Sequence, residues 1–377
     1  MTLREIANGY RGQIEPGDVD ILTAFVLETT KESVMCDPDR ILSSEEEASL
    51  RSALDRRAAH EPVAYIVSEK EFFGLPFFVT RDTLVPRPET EHLVEEALAL
   101  LSKHDDKTVI ADIGTGSGAI IISLVHSLQI KNPESTSYTF IGTDISPAAL
   151  DVAKRNAKRN SIHKTVISDK PIPSNFDQIS DGSYFTNPSP GIPGTPFPKG
   201  RNSGLCTSDE ENSSPLEKGS PESSKGGIFT STSTSTVVQS NSSLEKRFDI
   251  DFFEGSLLDP IPENIFEKTD RILVLANLPY LSHELYESAP DDVRLFEPES
   301  ALVAENHGLA LYIDLFETIA EKKRSVWKDI PVDGLFEISP EQEFSLKKIF
   351  LDRFPSSRND FLPDLSGRTR IFRFRIG

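Results

Sequence analysis

Asn277-Leu278-Pro279-Tyr280 follows the apolar run of residues 271–276, RILVLA, and concentrates several chemical groups in four positions. A planar nitrogen is a poor nucleophile because its lone pair is delocalised. The side-chain oxygen of Asn277 and the backbone carbonyl of Leu278 can accept both hydrogens of such a nitrogen. That fixes its orientation and stabilises the positive charge that develops on it. Pro279 stiffens the loop, and Tyr280 can pack flat on a planar group. The same letters also end strands, since Asn and Pro punctuate loops. The four residues carry chemistry only if the fold brings them to a ligand.

A second cluster supplies one. Asp112-Ile113-Gly114-Thr115-Gly116-Ser117-Gly118 lies between an apolar strand (108–114) and an apolar helix (119–128). Glycines let the backbone turn sharply and approach a ligand without a clashing Cβ. The spacing is GxGxG, unlike the GxGxxG of dinucleotide sites, and no GK[ST] follows as a phosphate-binding P-loop requires. Asp144 ends the next strand, followed by Ile145, and a carboxylate there can accept both hydroxyls of a ribose. A glycine loop unsuited to pyrophosphate together with a ribose acid points to S-adenosylmethionine. Asp112, Gly114, Thr115, Gly116, Ser117, Gly118, Asp144 and Ile145 are its expected contacts. The competing reading is an ordinary strand–turn–helix connection with an incidental Asp. Asn277 ends a strand too, so it should share the crevice and touch the cofactor, where proximity to a sulfonium methyl supplies rate.

These motifs need elements to position them. Residues 1–60 look helical: Ile21, Leu22, Phe25 and Val26 recur at helical spacing, and SSEEEASLRSALDRRAAH opens on a serine cap followed by acids. Residues 62–86 read as extended, with Gly74-Leu75-Pro76 as the turn. From 88 onward the pattern alternates: helix 89–103, strand 108–114, helix 119–128, strand 138–145, helix 147–160, strands 249–255 and 271–277, a helix near 307–323, strand 333–339, and an alternating edge strand at 368–376. Strands separated by helices predict an α/β fold with a parallel sheet wound on both faces. Residues 164–247 stand apart: seven prolines fall in 171–200 and thirteen serines in 201–250. So little apolar surface cannot offset the entropy of ordering, which predicts a disordered insertion. Asn187-Pro188 within it follows no apolar strand and reads as loop.

Composition narrows the function. The chain has 377 residues and a net charge of −20, which argues against a nucleic-acid backbone as main ligand. Cys36 and Cys206 make no disulfide framework, the seven histidines show no HxxxH spacing, and no metal site is expected. The first residues lack a signal peptide's apolar core and no run spans a membrane, so a cytoplasmic setting is expected.

N-[PL]-P-[YF] loops resemble those of methyltransferases acting on planar nitrogens, with two branches: one acts on adenine in nucleic acid, the other is the HemK/PrmC family. Residues 61–98, EPVAYIVSEKEFFGLPFFVTRDTLVPRPETEHLVEEAL, resemble the latter's signature, Arg87-Pro88-Glu89-Thr90-Glu91 most specifically. So do 291–312 (DDVRLFEPESALVAENHGLALY), EISPEQ (337–342) and PDLSGRTRIF (363–372). The resemblance covers nearly all of the chain except 164–247. It implies a Rossmann-like class I S-adenosylmethionine methyltransferase sheet in residues 81–377. It also implies a helical N-terminal domain with a β-hairpin linker, residues 1–80, that binds the protein substrate. The implied activity is methylation of N5 of the glutamine in the Gly-Gly-Gln motif of class I peptide-chain release factors, a step serving translation termination. Asn277, Leu278, Pro279 and Tyr280 are then catalytic, and Arg87 and Glu89 join Asn277, Pro279 and Tyr280 at the substrate. The implied enzyme is a monomer with a release factor as partner, without membrane or stable nucleic-acid binding. Two departures stand out. Leu278 replaces the family's usual Pro, a form familiar from ribosomal-RNA adenine dimethyltransferases. Ser256, beside Leu257, stands near the adenine where an acid is common.

The competing functions are an N6-adenine methyltransferase acting on RNA or DNA and a non-catalytic binding module. The remaining charged and aromatic features have plainer readings. Glu89 and Glu91 complement a helix dipole rather than forming a base pair of acids. Arg87 meets the substrate backbone or pairs with Glu89 or Glu91. Lys154, Arg155, Lys158 and Arg159 form a solvated helix face. Trp327, Phe25 and Val26 belong to the core.

Overall fold

A computed structural model describes residues 1–102, 106–131, 137–160 and 249–377. The insertion expected at 164–247, with Asn187 and Cys206, lies outside the described residues. The chain begins with five helices: α1 (Leu3–Gly9), α2 (Pro16–Val26), α3 (Lys31–Cys36), α4 (Ser44–Ala58) and α5 (Val63–Val67). α4 starts where its cap predicts: Ser43 Oγ accepts from Glu46 N at 3.1 Å and the Glu46 carboxylate accepts from Ser43 N at 2.8 Å. The apolar faces close a small core around Ile6, Leu22, Leu50 and Leu54. Val26 packs at its margin, and Phe25 is only half-buried.

Residues 62–86 are less extended than the sequence suggests, because α5 takes Val63–Val67. The hairpin β1 (Glu69–Phe72) and β2 (Leu75–Phe78) follows. Its turn is Phe73-Gly74, both at positive φ, so Leu75 and Pro76 belong to β2 and not to the turn. Glu91 explains how Phe73 tolerates that backbone: its carboxylate accepts the Phe73 N–H at 3.0 Å. Glu91 is therefore structural.

The remaining described elements are α6 (Glu91–Leu101), β3 (Thr108–Ile113), α7 (Ala119–Lys131), β4 (Tyr138–Asp144), α8 (Pro147–Asn160), β5 (Ile250–Glu254), β6 (Arg271–Ala276), α9 (His283–Glu287), α10 (Asp291–Arg294), α11 (Glu305–Gly308), α12 (Ala310–Arg324), β7 (Val332–Glu337), α13 (Glu343–Arg353), β8 (Arg358–Pro363) and β9 (Thr369–Ile376). Seven strands form one sheet in the order β5-β4-β3-β6-β7-β9-β8, parallel from β5 to β7 and antiparallel thereafter. β3 and β6 are buried along their whole length. Their alternate residues feed two cores. Val109, Ala111, Ile113, Ile272 and Val274 pack with α12 and α13, and Ile110, Leu273 and Leu275 pack with α6 and α7. This is a doubly wound sheet, parallel through its first five strands, with a helical N-terminal region.

The last strand differs from expectation. β9 is not an edge, since it pairs with both β7 and β8. Its alternation comes from the pleat, which sends Phe372 and Phe374 into an aromatic cluster. Phe374 lies 4.8 Å from Phe350 and 5.0 Å from Phe336, ring centre to ring centre. Gly334 on β7 leaves the space, because a Cβ there would overlap the Phe374 ring. Neither β8 nor α13 is legible in the residue pattern. Trp327 is fully buried with its ring 5.0 Å from Phe266. Of the basic run on α8, Arg155 stacks 3.5 Å over Phe78 and Arg159 pairs with Glu69, so half of it packs on the hairpin.

Candidate functional site

The order of strands reverses between β3 and β6, with β4 and β5 on one side and β7 on the other. Open α/β sheets bind ligands at such a point, outside the carboxyl ends of the strands. A cleft of about 340 Å³ lies there, within the usual range for a small-molecule site. Its walls include Gly114, Thr115, Gly116, Ser117, Asp144, Ile145, Ser256, Leu257, Asn277, Leu278, Pro279 and Arg87. Twelve residues singled out across the sequence thus meet in one place.

The glycine loop is held from behind. Asp112 does not line the cleft. It is fully buried, and its Oδ2 accepts from Thr115 Oγ1 at 2.6 Å. Thr115 N donates to the Thr143 carbonyl at 2.8 Å, and Gly118 N closes the turn on the Thr115 carbonyl at 2.8 Å. Gly118 also stands behind the wall, packed against Ile122 and Ala153. Asp112 and Gly118, both expected at the cofactor, thus stand behind the cleft wall and support the loop. Gly116 has φ of 55°, and a Cβ there would meet nothing nearer than 4.0 Å, so its backbone is open to a ligand. A Cβ on Gly114 would instead come 3.0 Å from Leu278 Cδ2. Leu278 thus seats its side chain over the glycine loop, contact that joins the two motifs.

Asp144 accepts from Gly116 N and Ser146 N, both at 2.9 Å. One oxygen serves each amide, which leaves acceptor capacity on both. Burial raises its pKa, and the amides of Ser146 and Gly116 oppose that. Together with the open Gly116 backbone, this carboxylate acceptor fits a ribose-bearing ligand.

Burial also pushes Asp112 up, to about 7, against the Thr115 hydrogen bond and the Ile121 backbone, and its Oδ1 closes no full hydrogen bond among the described residues. The unfolded chain releases this proton near pH 4, and the native state only near 7. Between those values the native state binds more protons, so stability falls as pH rises through the window. In Asp112→Asn the residue is neutral in both states, and the new amide N–H₂ replaces Oδ1. Denaturant midpoints at pH 5 and pH 8 should lie closer together in this variant than in the wild type. Equal spacing in both proteins would refute the assignment.

Arg87 pairs with Glu297, not with Glu89 or Glu91. Glu297 is almost wholly buried and also accepts from Val85 N at 3.2 Å. The pair joins the hinge segment to the 298–301 wall of the cleft. Glu89 is exposed and does not line the cleft. The helical region is tied to the same hinge: Glu61 accepts from Arg56 at 2.8 Å and from Arg81 at 2.9 Å, and Tyr65 donates to the Thr83 carbonyl at 2.7 Å.

The tetrapeptide is anchored by residues that motif reading passed over. Asn277 Nδ2 donates to Thr90 Oγ1 at 3.2 Å. Tyr280 lies off the cleft wall, with its hydroxyl 3.4 Å from Glu337 Oε1. Its carbonyl accepts from Gln342 Nε2 at 3.0 Å. Asn306, His307 and Gly308 all have positive φ, and Gly308 lies so close to Tyr280 that a Cβ there would overlap the Tyr280 carbonyl oxygen. Asn156, buried on α8, bonds both backbone groups of Phe78 and the Ser117 carbonyl. Thr90, Gly308, Glu337 and Gln342 all fall inside segments that carry the family resemblance. The resemblance marked them without revealing a role.

The family described as the PrmC N-terminal domain matches residues 11–67. A second, ribosomal protein L11 methyltransferase (PrmA), matches residues 89–180. The release factor glutamine methyltransferase of Vibrio cholerae is 38% identical over 45% of this chain and 54% of its own length. That of Enterococcus faecalis is 27% identical over 88% of this chain and 81% of its own.

The chain is similar to release factor glutamine methyltransferases, over most of its length in the Enterococcus faecalis relative.

At the higher identities the chain spans about half the length of the curated relatives it matches; the Coxiella burnetii relative is 41% identical over 50% of its length. The matched N-terminal family ends at α5, short of the hairpin. No helix of the described residues is long and apolar enough to cross a membrane.

Proposed function

We propose that this chain is a HemK/PrmC-family enzyme that methylates the side-chain amide nitrogen of the glutamine in the Gly-Gly-Gln motif of class I release factors. What carries the reading is that Asn277, its amide held by Thr90, shares one cleft with the glycine loop and Asp144. S-adenosylmethionine, held along Gly114–Ser117, Asp144, Ile145, Ser256 and Leu257, supplies the electrophilic methyl group. Asn277 Oδ1 and the Leu278 carbonyl accept the two amide hydrogens of the glutamine, so the nitrogen lone pair faces the cleft. Charge developing on nitrogen is stabilised by the same two acceptors. Pro279 limits the loop's freedom, and Tyr280 holds its far end. A strong general base is not required, because the nitrogen becomes acidic once alkylated. Residues 1–80 serve as the unit that receives the release factor, with Arg87 and Glu297 at the hinge.

The test is methyl transfer from labelled S-adenosylmethionine to a release factor and to its Gly-Gly-Gln variant with Gln→Ala. Transfer to the wild-type factor alone is the expected result. Transfer that persists after Gln→Ala, or that goes to adenine in RNA or DNA, refutes the reading.

A further inference from the structure

Asn277 can serve as an acceptor only if its amide faces the right way. An Asn side chain presents an oxygen on one side and an N–H₂ on the other, nearly identical in shape. Turned over, it would present donors to the substrate N–H groups and repel them. Something must choose the orientation, and the immediate neighbour cannot. The partner of Nδ2 is the Thr90 hydroxyl, which donates and accepts equally well.

Behind Thr90 stands Glu337, at the carboxyl end of β7 and 2% exposed. The Thr90 hydroxyl lies near its carboxylate without closing a hydrogen bond on it, and Tyr280 donates to it from the other side. Both contacts are loose. Tyr280 stands at 3.4 Å, and Oε2 ends without a full hydrogen bond among the described residues. Arg370 on β9 and Glu89 in the turn before α6 are the charges that face it, and the Tyr312 hydroxyl from α12 donates to its backbone carbonyl.

We infer that Glu337, acting through Thr90, is the positioning residue that sets which face of the Asn277 amide meets the substrate. An ionised carboxylate only accepts. Thr90 must then turn its proton toward Glu337 and its lone pair toward Asn277. Nδ2 is drawn to Thr90 and Oδ1 is left facing the cleft. The same carboxylate holds Tyr280, so both ends of the tetrapeptide answer to one group. A protonated or amidated Glu337 can donate, Thr90 can reverse, and the orientation of Asn277 is no longer enforced. Burial raises the Glu337 pKa to about 7, which puts the change within reach of ordinary assays.

This inference rests on the proposed acceptor role of Asn277, and two readouts separate the two ideas. The first is kinetic: kcat, KM and cofactor affinity for wild type, Glu337→Gln, Thr90→Val and Thr90→Ser, from pH 5.5 to 8.5. Wild-type kcat should fall as pH drops through about 7. Glu337→Gln and Thr90→Val should each lose about 100-fold in kcat, the size typical of losing one preorganised polar contact, and lose that acid limb while still binding S-adenosylmethionine. Thr90→Ser keeps the hydroxyl and should stay near wild type. The second readout needs no substrate. In full-length protein labelled with ¹⁵N-asparagine, the Asn277 side-chain N–H₂ signals, assigned with Asn277→Ala, should shift with a midpoint near pH 7 and cease to do so in Glu337→Gln. Signals that ignore pH, or that titrate equally in Glu337→Gln, overturn the inference, as would a wild-type kcat profile in Thr90→Val. A wild type that transfers no methyl to glutamine would instead overturn the proposed function, and the amide signals would still decide this question.

Discussion

Asn277→Ala is expected to lower kcat by about 100- to 1,000-fold, comparable to removing one preorganised transition-state contact in other enzymes. The dissociation constant for S-adenosylmethionine should change far less. The reason lies in how the cleft is divided. On the proposed reading the cofactor side is built from the Gly114–Ser117 backbone and Asp144, which the Gly116 and Ser146 amides hold in place without Asn277. Asn277 lines the same cleft but is anchored separately, through Thr90. Alanine removes the acceptor without removing backbone, and Leu278 still seats its side chain over Gly114. Calorimetry with the cofactor and single-turnover methyl transfer to a release factor separate the two quantities. Equal losses in both would mean that Asn277 organises the cofactor and does not orient the amide.

Gly308→Ala should be the most damaging single methyl group in the catalytic region. Gly308 sits at φ of 80°, and its Cα faces the Tyr280 carbonyl so closely that a Cβ would overlap it. Left-handed strain and backbone overlap each cost on the order of 1–3 kcal/mol, so about 3 kcal/mol is expected. For a folding unit of about 150–250 residues that is a fall in Tm of roughly 6–12 °C. The loop can escape only by moving Tyr280 away from Gln342 and Glu337, so kcat should fall as well. Gly367→Ala is the control. Gly367 has φ of 82° in open space, so it carries the strain without the overlap. Calorimetric melting of the two variants should rank Gly308→Ala well below Gly367→Ala. Equal midpoints would show that the Tyr280 contact yields.

Much of this molecule was legible before its structure. Periodicity located β3, β4 and β6 and the helices between them, because buried parallel strands are continuous apolar runs bounded by turn formers. The misreadings have equally physical causes. α5 hides in a stretch rich in Val, Ile and Tyr, whose strand preference is overridden once Tyr65 reaches the Thr83 carbonyl and Ile66 enters the helical core. β9 looked like an edge because alternation reports the pleat and not the number of neighbours. β8 lies at the true edge, where burial is shallow and the apolar pattern weak.

For the site, the sequence by itself determined the chemistry: a glycine loop without a phosphate signature, a carboxylate at the end of the next strand, and an amide followed by a stiff, aromatic loop. Those groups are contiguous in the chain, so their character survives without a fold. What acts on them comes from far away. Thr90 lies 187 residues from Asn277, Glu337 lies 57 from Tyr280, and Glu297 lies 210 from Arg87. Burial had to be known before Asp112 read as a support for the loop, or Glu337 as an acid with a raised pKa. Only the tertiary structure decided these roles, because hydrogen-bond direction and desolvation depend on what surrounds a group in space and not on its neighbours along the chain.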